Sequence, residues 1–455
     1  MRKFILLILV TVGLTSCNTT GPPDPPPPPP IVEEPILKLE LDDAHCTEAW
    51  IMLKTEKLTI PAELNLKQFY PDGDSISQII NLISKDTLLY FDSLYPKQTY
   101  KYQVTGNWYP KPDSLRQVAS NKVSVTTMDT TSHNFTFEMY TFGGEIGGSV
   151  LYDVAIINEN NIWAVGDILI KSDTSETGYI QYNAVHWNGS HWQLKRIRYY
   201  GGCSSVEYPP LNAIWAFSEN NIVITNGGSI GWFNGETVNL DCRVYPLLTG
   251  AINKIWGTSI NNLYAVGNLG TIVHYNGMSW RKIESHTTLN INDIWGDYNP
   301  KTKEWEILAV ASDYPSSLNK EILKIVNETV FKLPTSDQME PLYTVWFMPN
   351  KQYYVAGSGI YQKRLLTDLY WKNDPTDITG FATTCIRGNN INDVFGVGAF
   401  GDFVHFNGVR WKQYQEPYLY NGAYTKVAVK GDLVVAVGGN QVSLASEAVI
   451  LIGRR

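Results

Sequence analysis

Hydrophobic and polar residues alternate in short stretches along most of the chain, and this alternation predicts β-strands. From residue 150 onward the stretches recur at intervals of about forty residues. The first strand of a repeat is predicted at seven places: "LYDVAII" (151–157), "LNAIWAF" (211–217), "INKIWGT" (252–258), "INDIWGD" (291–297), "LYTVWFM" (342–348), "FATTCIRG" (381–388) and "YTKVAVKG" (424–431). A second strand, often introduced by Asn-Asn, follows each of them, and a third and a fourth strand come after it.

Seven units of four strands, each about forty residues long, are typical of a β-propeller. The last unit supplies only three strands before the chain reaches Arg455. A lone strand at 133–143 precedes the first unit, and pairing it with the last unit would remove exposed strand edges. We therefore expect a seven-bladed propeller over residues 133–455, closed by the 133–143 strand. An eighth or partial blade is the alternative.

One phrase recurs between the third and fourth strands of three repeats, as "HWNGSHW" (186–192), "HYNGMSW" (274–280) and "HFNGVRW" (405–411). Asn-Gly favours a two-residue type I′ turn, in which both central residues have positive φ. The tryptophan that follows, such as Trp280, is expected to pack between blades. His186, His274 and His405 share one repeat position, which spreads them around the ring, so we expect structural roles and no metal site.

These repeats resemble the propellers of the sialidase-like and photosystem-assembly-factor (BNR-repeat) group. The Asn-Gly-x-x-Trp ending is similar to the end of a sialidase Asp box, but Asn276 replaces the Asp and His274 replaces the Ser. The resemblance therefore implies the fold and not catalysis. The sequence contains no shared innermost-strand arginines, nucleophile elbow, H-E-x-x-H or phosphate-binding loop. We expect no catalytic residues, no cofactor and no metal.

Residues 33–129 show six alternating strands separated by turns, which predict a β-sandwich. The run "LYPKQTYKYQV" (94–104) resembles the E–F corner of fibronectin type III domains, with Leu94, Pro96 and Tyr100 at the matching positions. Trp50 falls where that family has its strand-B tryptophan. The resemblance implies an all-β chain with a fibronectin type III-like spacer ahead of the propeller. Adhesion is the alternative role, for which no Arg-Gly-Asp loop is present.

The N-terminus has the form of an export signal, with Arg2 and Lys3 before an apolar stretch that is too short to span a membrane. Leu14-Thr15-Ser16-Cys17 resembles the lipobox of bacterial lipoproteins. The resemblance implies that residues 1–16 are a signal peptide and that Cys17 carries acyl chains. Residues 17–32 would form a stiff, Pro-rich stalk. Asn18 follows Cys17, and this favours the outer membrane or cell surface.

The charge and the cysteine content limit the kinds of binding partner and site that the protein can have. The formal charge is −8 with a pI of about 5.5, and the absence of a long basic run excludes nucleic acid. Export would permit disulfides, and Cys203–Cys242 is one pairing that the sequence alone does not fix. No Cys or His spacing indicates a metal site.

Topology indicates where a ligand would bind. In a four-stranded blade the 1–2 and 3–4 turns emerge on one face, and the 2–3 and 4–1 connections emerge on the other. Long insertions fall mainly on the second face, at 167–182, 198–210 and 312–320. Loops on a rigid scaffold commonly carry binding residues, and exposed tyrosines suit protein or glycan contacts. The candidate ligand-binding residues are Tyr199, Tyr200, Glu207, Tyr208, Asp313 and Tyr314.

The sequence thus favours a lipid-anchored, non-catalytic scaffold whose propeller binds protein or carbohydrate at the cell envelope. One alternative is an envelope assembly factor that faces the periplasm. The other is a glycan-active enzyme of the sialidase-like group, which would need a channel-facing acid.

Overall fold

The computed structural model describes residues 33–111, 113–313, 318–335, 339–373, 378–415 and 419–455. The predicted signal peptide, Cys17, the Pro-rich stalk and Tyr314 lie outside the described residues. Strands dominate the described part of the chain. Within these ranges, no helix has both the length and the apolar character needed to cross a membrane.

The N-terminal domain consists of two sheets that share one core. Its strands are β1 (Ile36–Ala44), β2 (Ala49–Glu56), β3 (Ala62–Phe69), β4 (Ser75–Leu82), β5 (Asp86–Phe91), β6 (Thr99–Lys111), β7 (Ser114–Ala119) and β8 (Val123–Thr126). One sheet has the order β1-β2-β5; the other has the order β4-β3-β6-β7, with β8 also paired to β6. The core between them includes Leu39, Ile51, Leu66 and Tyr102.

Two details of this domain bear on the sequence expectations. The Tyr95 N–H donates to the Tyr100 hydroxyl at 2.8 Å, so Tyr100 closes the corner between β5 and β6. Trp50 is not part of this core. Because side chains alternate along a strand, Ala49 and Ile51 face the core and Trp50 points out of the other side of the small sheet.

The rest of the chain forms seven four-stranded antiparallel sheets within the described residues, and we number them blades 1 to 7. Blade 1 contains β10 (Val150–Asn158), β11 (Asn161–Lys171), β12 (Tyr179–Trp187) and β13 (Trp192–Lys195). Blade 2 contains β14 (Ala213–Ser218), β15 (Asn221–Thr225), β16 (Ile230–Phe233) and β17 (Val238–Asp241). Blade 3 contains β18 (Ile252–Ser259), β19 (Asn262–Gly267), β20 (Ile272–Tyr275) and β21 (Trp280–Lys282).

The later blades have the same plan. Blade 4 contains β22 (Ile291–Asn299), β23 (Glu304–Ser312), β24 (Lys320–Val326) and β25 (Thr329–Leu333). Blade 5 contains β26 (Leu342–Met348), β27 (Gln352–Gly357), β28 (Gly359–Lys363) and β29 (Lys372–Asn373). Blade 6 contains β30 (Thr383–Asn390), β31 (Asp393–Gly398), β32 (Phe403–Phe406) and β33 (Trp411–Gln413). Short 3₁₀ turns lie at Cys242–Leu247 and Asn268–Gly270.

Blade 7 closes the ring. It contains β34 (Gly422–Lys430), β35 (Leu433–Val442) and β36 (Ala445–Arg454), and its fourth strand is β9 (Thr136–Gly143), which precedes blade 1 in the chain. β9 runs antiparallel to β36 with Met139 opposite Leu451. The first strand of every blade lies against the first strand of the next, and β34 lies against β10. The two ends of the propeller are therefore joined in one sheet.

The Asn-Gly hairpins differ from the expected two-residue turns. Tyr275 pairs with Trp280, so four residues form the turn. The side-chain oxygen of Asn276 accepts the N–H groups of Met278 and Ser279 at 3.1 and 3.0 Å. Gly277 has a φ of 92°, whereas Asn276 is not among the residues with positive φ, because its side chain caps the turn instead. Equivalent turns begin at Asn188, Asn234 and Asn407.

The aromatic and histidine positions of the repeat connect strands and blades. Trp280 is buried, and its indole N–H donates to Asp241 of blade 2 at 3.1 Å, so it packs between blades as expected. The Nε2 atoms of the three repeat histidines lie 3.0, 2.8 and 2.9 Å from a side-chain oxygen on the neighbouring second strand; the pairs are His186–Asn161, His274–Asn262 and His405–Asp393.

A pair of histidines marks the entry to the closing strand. The Nδ1 atom of His133 lies 2.9 Å from the Nδ1 atom of His405, which is buried and also bonds to Asp393. Burial and the charge of His405 lower the pKa of His133 to about 4. Burial also lowers the pKa of His405, although Asp393 opposes the change. The pair therefore resists protonation in the folded protein.

We expect acid to weaken the folded state through this pair. Between pH 6.5 and about 4 the unfolded chain binds protons that the folded pair does not, so stability falls as the pH falls. Thermal unfolding midpoints should drop across this range, and His133→Gln should make the drop smaller. The exposed His191 provides the control, since His191→Gln should leave the pH dependence unchanged. Identical pH profiles for all three proteins would contradict the assignment.

Candidate binding face and axial pocket

The N-terminal domain contacts one face of the propeller at blades 4 and 5. Asp42 forms ion pairs with Lys301 in the 1–2 turn of blade 4 at 2.9 Å and with Arg364 in the 3–4 connection of blade 5 at 2.6 Å. The Arg364 guanidinium also lies 4.0 Å from the centre of the Trp50 ring. This contact explains why Trp50 faces outward. We call the opposite face, which carries the 2–3 and 4–1 connections, the open face.

A cavity of about 470 Å³ lies on the propeller axis at the open face. It is lined by residues at or next to the start of the first strand of every blade, namely Tyr152, Asn212, Asn253, Asn292, Tyr343, Thr384, Thr425 and Lys426. The strand register shifts at this position in six blades, so the residue there is an extra one that leaves the ladder. We call this cavity the axial pocket.

Side chains of the pocket rim hold neighbouring blades together. Asn292 Nδ2 donates to the Leu342 carbonyl of the next blade at 2.9 Å, and Asn253 Nδ2 donates to the Ile291 carbonyl at 3.2 Å. The Thr425 hydroxyl makes the same link from blade 7 to blade 1, donating to the Leu151 carbonyl at 2.7 Å. These donors are already bonded within the protein, and the rim is fixed by the ring itself.

Beneath the rim lie two buried ion pairs, which we call the axial ionic layer. Lys254 Nζ lies 2.7 Å from both oxygens of Asp153, and Arg387 makes two bonds of 2.8 and 2.9 Å to Asp293. The four residues belong to blades 3, 1, 6 and 4. Asp153 also accepts the Ile214 N–H of the adjoining blade at 3.0 Å. Asp153, Lys254 and Asp293 each directly follow a rim residue in the chain, so the layer lies next to the pocket.

The charges of the channel do not cancel. Burial works to raise the pKa of Asp293, but the charges of Arg387 and Lys426 and the hydrogen bonds from Arg387 hold it well below its usual range. Asp293 is therefore a carboxylate. Two carboxylates face three cations, of which Lys426 forms no hydrogen bond or ion pair with any described residue. The half-buried Lys426 lines the pocket, which thus has one surplus positive charge.

Three of the predicted site residues come together on the 198–210 loop of the open face. Glu207 pairs with Arg198 at 3.0 Å, and the Arg196 guanidinium lies 3.8 Å from the ring centre of Tyr208. Tyr200 is 57% exposed and lies near Arg198. The Cys203–Cys242 disulfide, with a Cα–Cα distance of 5.4 Å, ties this loop to the connection that follows blade 2.

The predictions for Tyr199 and for the 167–182 loop are wrong, whereas Asp313 keeps its place with one structural contact. Tyr199 is fully buried, and its hydroxyl donates to the Ser229 carbonyl at 2.8 Å, so it cannot contact a ligand. Asp313 accepts the Asn290 N–H at 2.7 Å and thereby holds the connection into blade 4. The expected loop at 167–182 is mostly a strand extension, since β11 ends at Lys171 and β12 begins at Tyr179. Tyr314 lies outside the described residues.

Sequence reasoning missed the axial pocket. When the seven first-strand sequences are aligned, the rim residues occupy one column: Tyr152, Asn212, Asn253, Asn292, Tyr343, Thr384 and Thr425. The next column contains Asp153, Lys254, Asp293 and Lys426, where charged residues interrupt otherwise apolar strands. These charged residues were the feature of the sequence from which a polar site on the axis could have been predicted.

Comparison with known proteins supports the fold. No protein-family model and no curated protein matches the chain. Among solved structures, YCF48 bound to a D1 peptide has a TM-score of 0.52 at 14% identity, over 72% of this chain and 97% of that one. YCF48 from Cyanidioschyzon merolae has a TM-score of 0.50 at 12% identity, over 70% of this chain and 98% of that one. At these identities the likeness shows a β-propeller and nothing finer.

We expect the axial ionic layer to be essential for stability. Arg387→Met would leave the Asp293 carboxylate buried without its partner, which costs about 3–5 kcal/mol of unfolding free energy. The double variant Asp293→Asn/Arg387→Met should lose less, because the Asp293 carboxylate is removed together with its partner. Urea denaturation measures both.

The exposed Arg281, whose contact with Glu328 is 3.7 Å long, serves as the matched control. Arg281→Met should cost no more than about 1 kcal/mol. If Arg387→Met cost no more than Arg281→Met, the layer would not have the role assigned to it.

Proposed function

We propose that this protein is a lipid-anchored, non-catalytic scaffold of the cell envelope that binds a protein partner on the open face of its propeller. The observation that carries the proposal is the division of the two faces. The N-terminal domain is docked on one face through Asp42, Arg364 and Trp50. The other presents a pocket whose lining comes from all seven blades.

The likeness to YCF48 supports a protein partner, because one of those structures contains a bound peptide. We extend to the present chain only the idea that such a propeller can bind polypeptide. Tyr200, Glu207 and Tyr208 on the 198–210 loop are the proposed contacts beside the axial pocket. Asp313 and Tyr314 remain candidate contacts on the 312–320 segment.

A non-catalytic role agrees with the state of the axial acids. Asp153 and Asp293 are buried, and both are engaged by a cation and by backbone N–H groups. Neither is placed to donate a proton to a ligand in the pocket. A glycan-active enzyme would need such an acid, so the geometry favours binding over hydrolysis.

The remaining parts of the chain have proposed roles in presentation. We propose that Cys17 carries the lipid anchor, that residues 17–32 form the stalk, and that residues 33–129 are a fibronectin type III-like spacer. The pattern around Tyr100 supports the last assignment, since its hydroxyl accepts the Tyr95 N–H at the corner. The envelope assembly factor facing the periplasm remains the second candidate, and location separates the two.

We expect the partner to contact the open face in living cells. Tyr200 and Leu269, both exposed on this face, are replaced one at a time by the photo-cross-linking residue p-benzoylphenylalanine. Illumination should give a discrete higher-mass adduct from each position. Met278 is the matched control, because it is 78% exposed and lies in the same blade as Leu269, but in a turn of the opposite face. Equal adducts from Met278, or none from Tyr200 and Leu269, would refute the proposed face.

We expect protease added to intact cells to remove the propeller if the protein is displayed at the surface. Immunoblotting against the propeller, beside a periplasmic marker, gives the result. Survival of the propeller until the cells are lysed would favour the periplasmic assembly factor.

In the Cys17→Ala variant the protein should leave the membrane fraction, and unchanged membrane association would exclude the lipid anchor.

A further inference from the structure

The axial pocket combines a fixed size with an uncompensated charge. Its volume of about 470 Å³ falls within the range of small-ligand sites, about 300–1,000 Å³. The rim amides and hydroxyls that we have described donate to backbone carbonyls of the next blade. Lys426 is the charged donor that remains available within the described residues.

Lys426 acts on Asp293 through its charge, but it has no ion pair of its own among the described residues. Asp153 is engaged by Lys254 and by the Ile214 N–H, and Asp293 is engaged by Arg387 and by the Thr344 hydroxyl. Each carboxylate therefore already has its own cation. An ammonium group that is half-buried and has no ion pair of its own is stabilised when an anion enters beside it.

We infer that the axial pocket binds a peptide carboxylate, with Lys426 as the residue that recognises it. One surplus positive charge matches the single negative charge of a carboxylate. A phosphate group carries about −1.5 to −2 and would exceed it. The inference rests on the proposed function, since it assumes that the partner is a polypeptide. The carboxylate can come from a C-terminus or from an Asp or Glu side chain, and the test separates these sources.

Because the pocket is surrounded by all seven blades, its shape favours a peptide end or side chain that inserts into it over a peptide that lies across its surface. Rim residues from every blade surround the axis, and the buried ion pairs of the axial ionic layer lie next to them. The tyrosine rings of Tyr152 and Tyr343 are part of this lining. They provide apolar surface for the segment that leads to the carboxylate.

The test uses the full-length protein in detergent and three pools of acetylated random pentapeptides. The first pool has a free C-terminal carboxylate and no acidic residue. The second has a C-terminal amide and one Asp or Glu, and the third has the amide and no acid. Peptides retained by the immobilised protein are quantified by mass spectrometry.

We expect the first or second pool to be retained about tenfold more strongly than the third, as a charge-assisted hydrogen bond implies. Lys426→Gln should abolish this preference, and Lys426→Arg should keep it. Lys303→Gln is the control, since Lys303 is exposed in the 1–2 turn of blade 4 on the opposite face. Unfolding midpoints of the variants show that they remain folded.

Several outcomes would overturn the inference. They are equal retention of the neutral pool, retention of no pool, a preference that survives in Lys426→Gln, and displacement of bound peptides by inorganic phosphate at lower concentration than by acetate. The cross-linking experiment at Tyr200 and Leu269 keeps the two proposals separate. Adducts there together with a failed pool experiment would leave the proposed function standing and remove only the role of Lys426.

Discussion

The antiparallel pairing of β9 with β36 joins the two ends of the propeller, and the rest of the molecule depends on that closure. Without β9, blade 7 would have three strands and an open edge. Blade 7 must also lie against blade 1 for the Thr425 hydroxyl to reach the Leu151 carbonyl. The rim of the axial pocket can therefore form only in a closed ring.

Polar groups on the propeller axis help to fix how the blades are arranged around it. Their hydrogen bonds and ion pairs have a defined geometry, which apolar packing lacks. Valine and isoleucine side chains fill the space between blades, and apolar contacts of this kind are not directional. The carboxylates of Asp153 and Asp293 reach across the channel to cations of other blades and to N–H groups of adjoining ones. The same bonds that set the geometry also consume both acids, which leaves the chemistry of the pocket to Lys426.

The sequence predicts the blades well and the axis poorly, for a physical reason. Strands within a blade are neighbours in the chain, so alternation and turn residues reveal them, and the missing fourth strand of blade 7 points to the 133–143 segment. The axial pairs join Asp153 to Lys254 and Asp293 to Arg387, which are 101 and 94 residues apart. No local pattern reports such pairs.

Exposure is also hard to predict locally. Tyr199 and Tyr200 are adjacent in one loop, yet one is buried against Ser229 and the other is exposed. The sequence predicts six strands in the N-terminal domain, whereas the structure has eight within the described residues. The two additional strands, β4 and β7, have mostly exposed or half-buried side chains with no clear alternation.

The order of elements has a mechanical consequence. The N-terminal domain leads through Thr131 and His133 directly into β9, so tension applied at the N-terminal end acts along the strand that closes the ring. Antiparallel strands pulled along their length share the load among all their hydrogen bonds at once. The contacts of Asp42 and Trp50 with Arg364 also connect the domain to the propeller, at blade 5. Tension on the domain is therefore shared between these contacts and the strand that closes the ring.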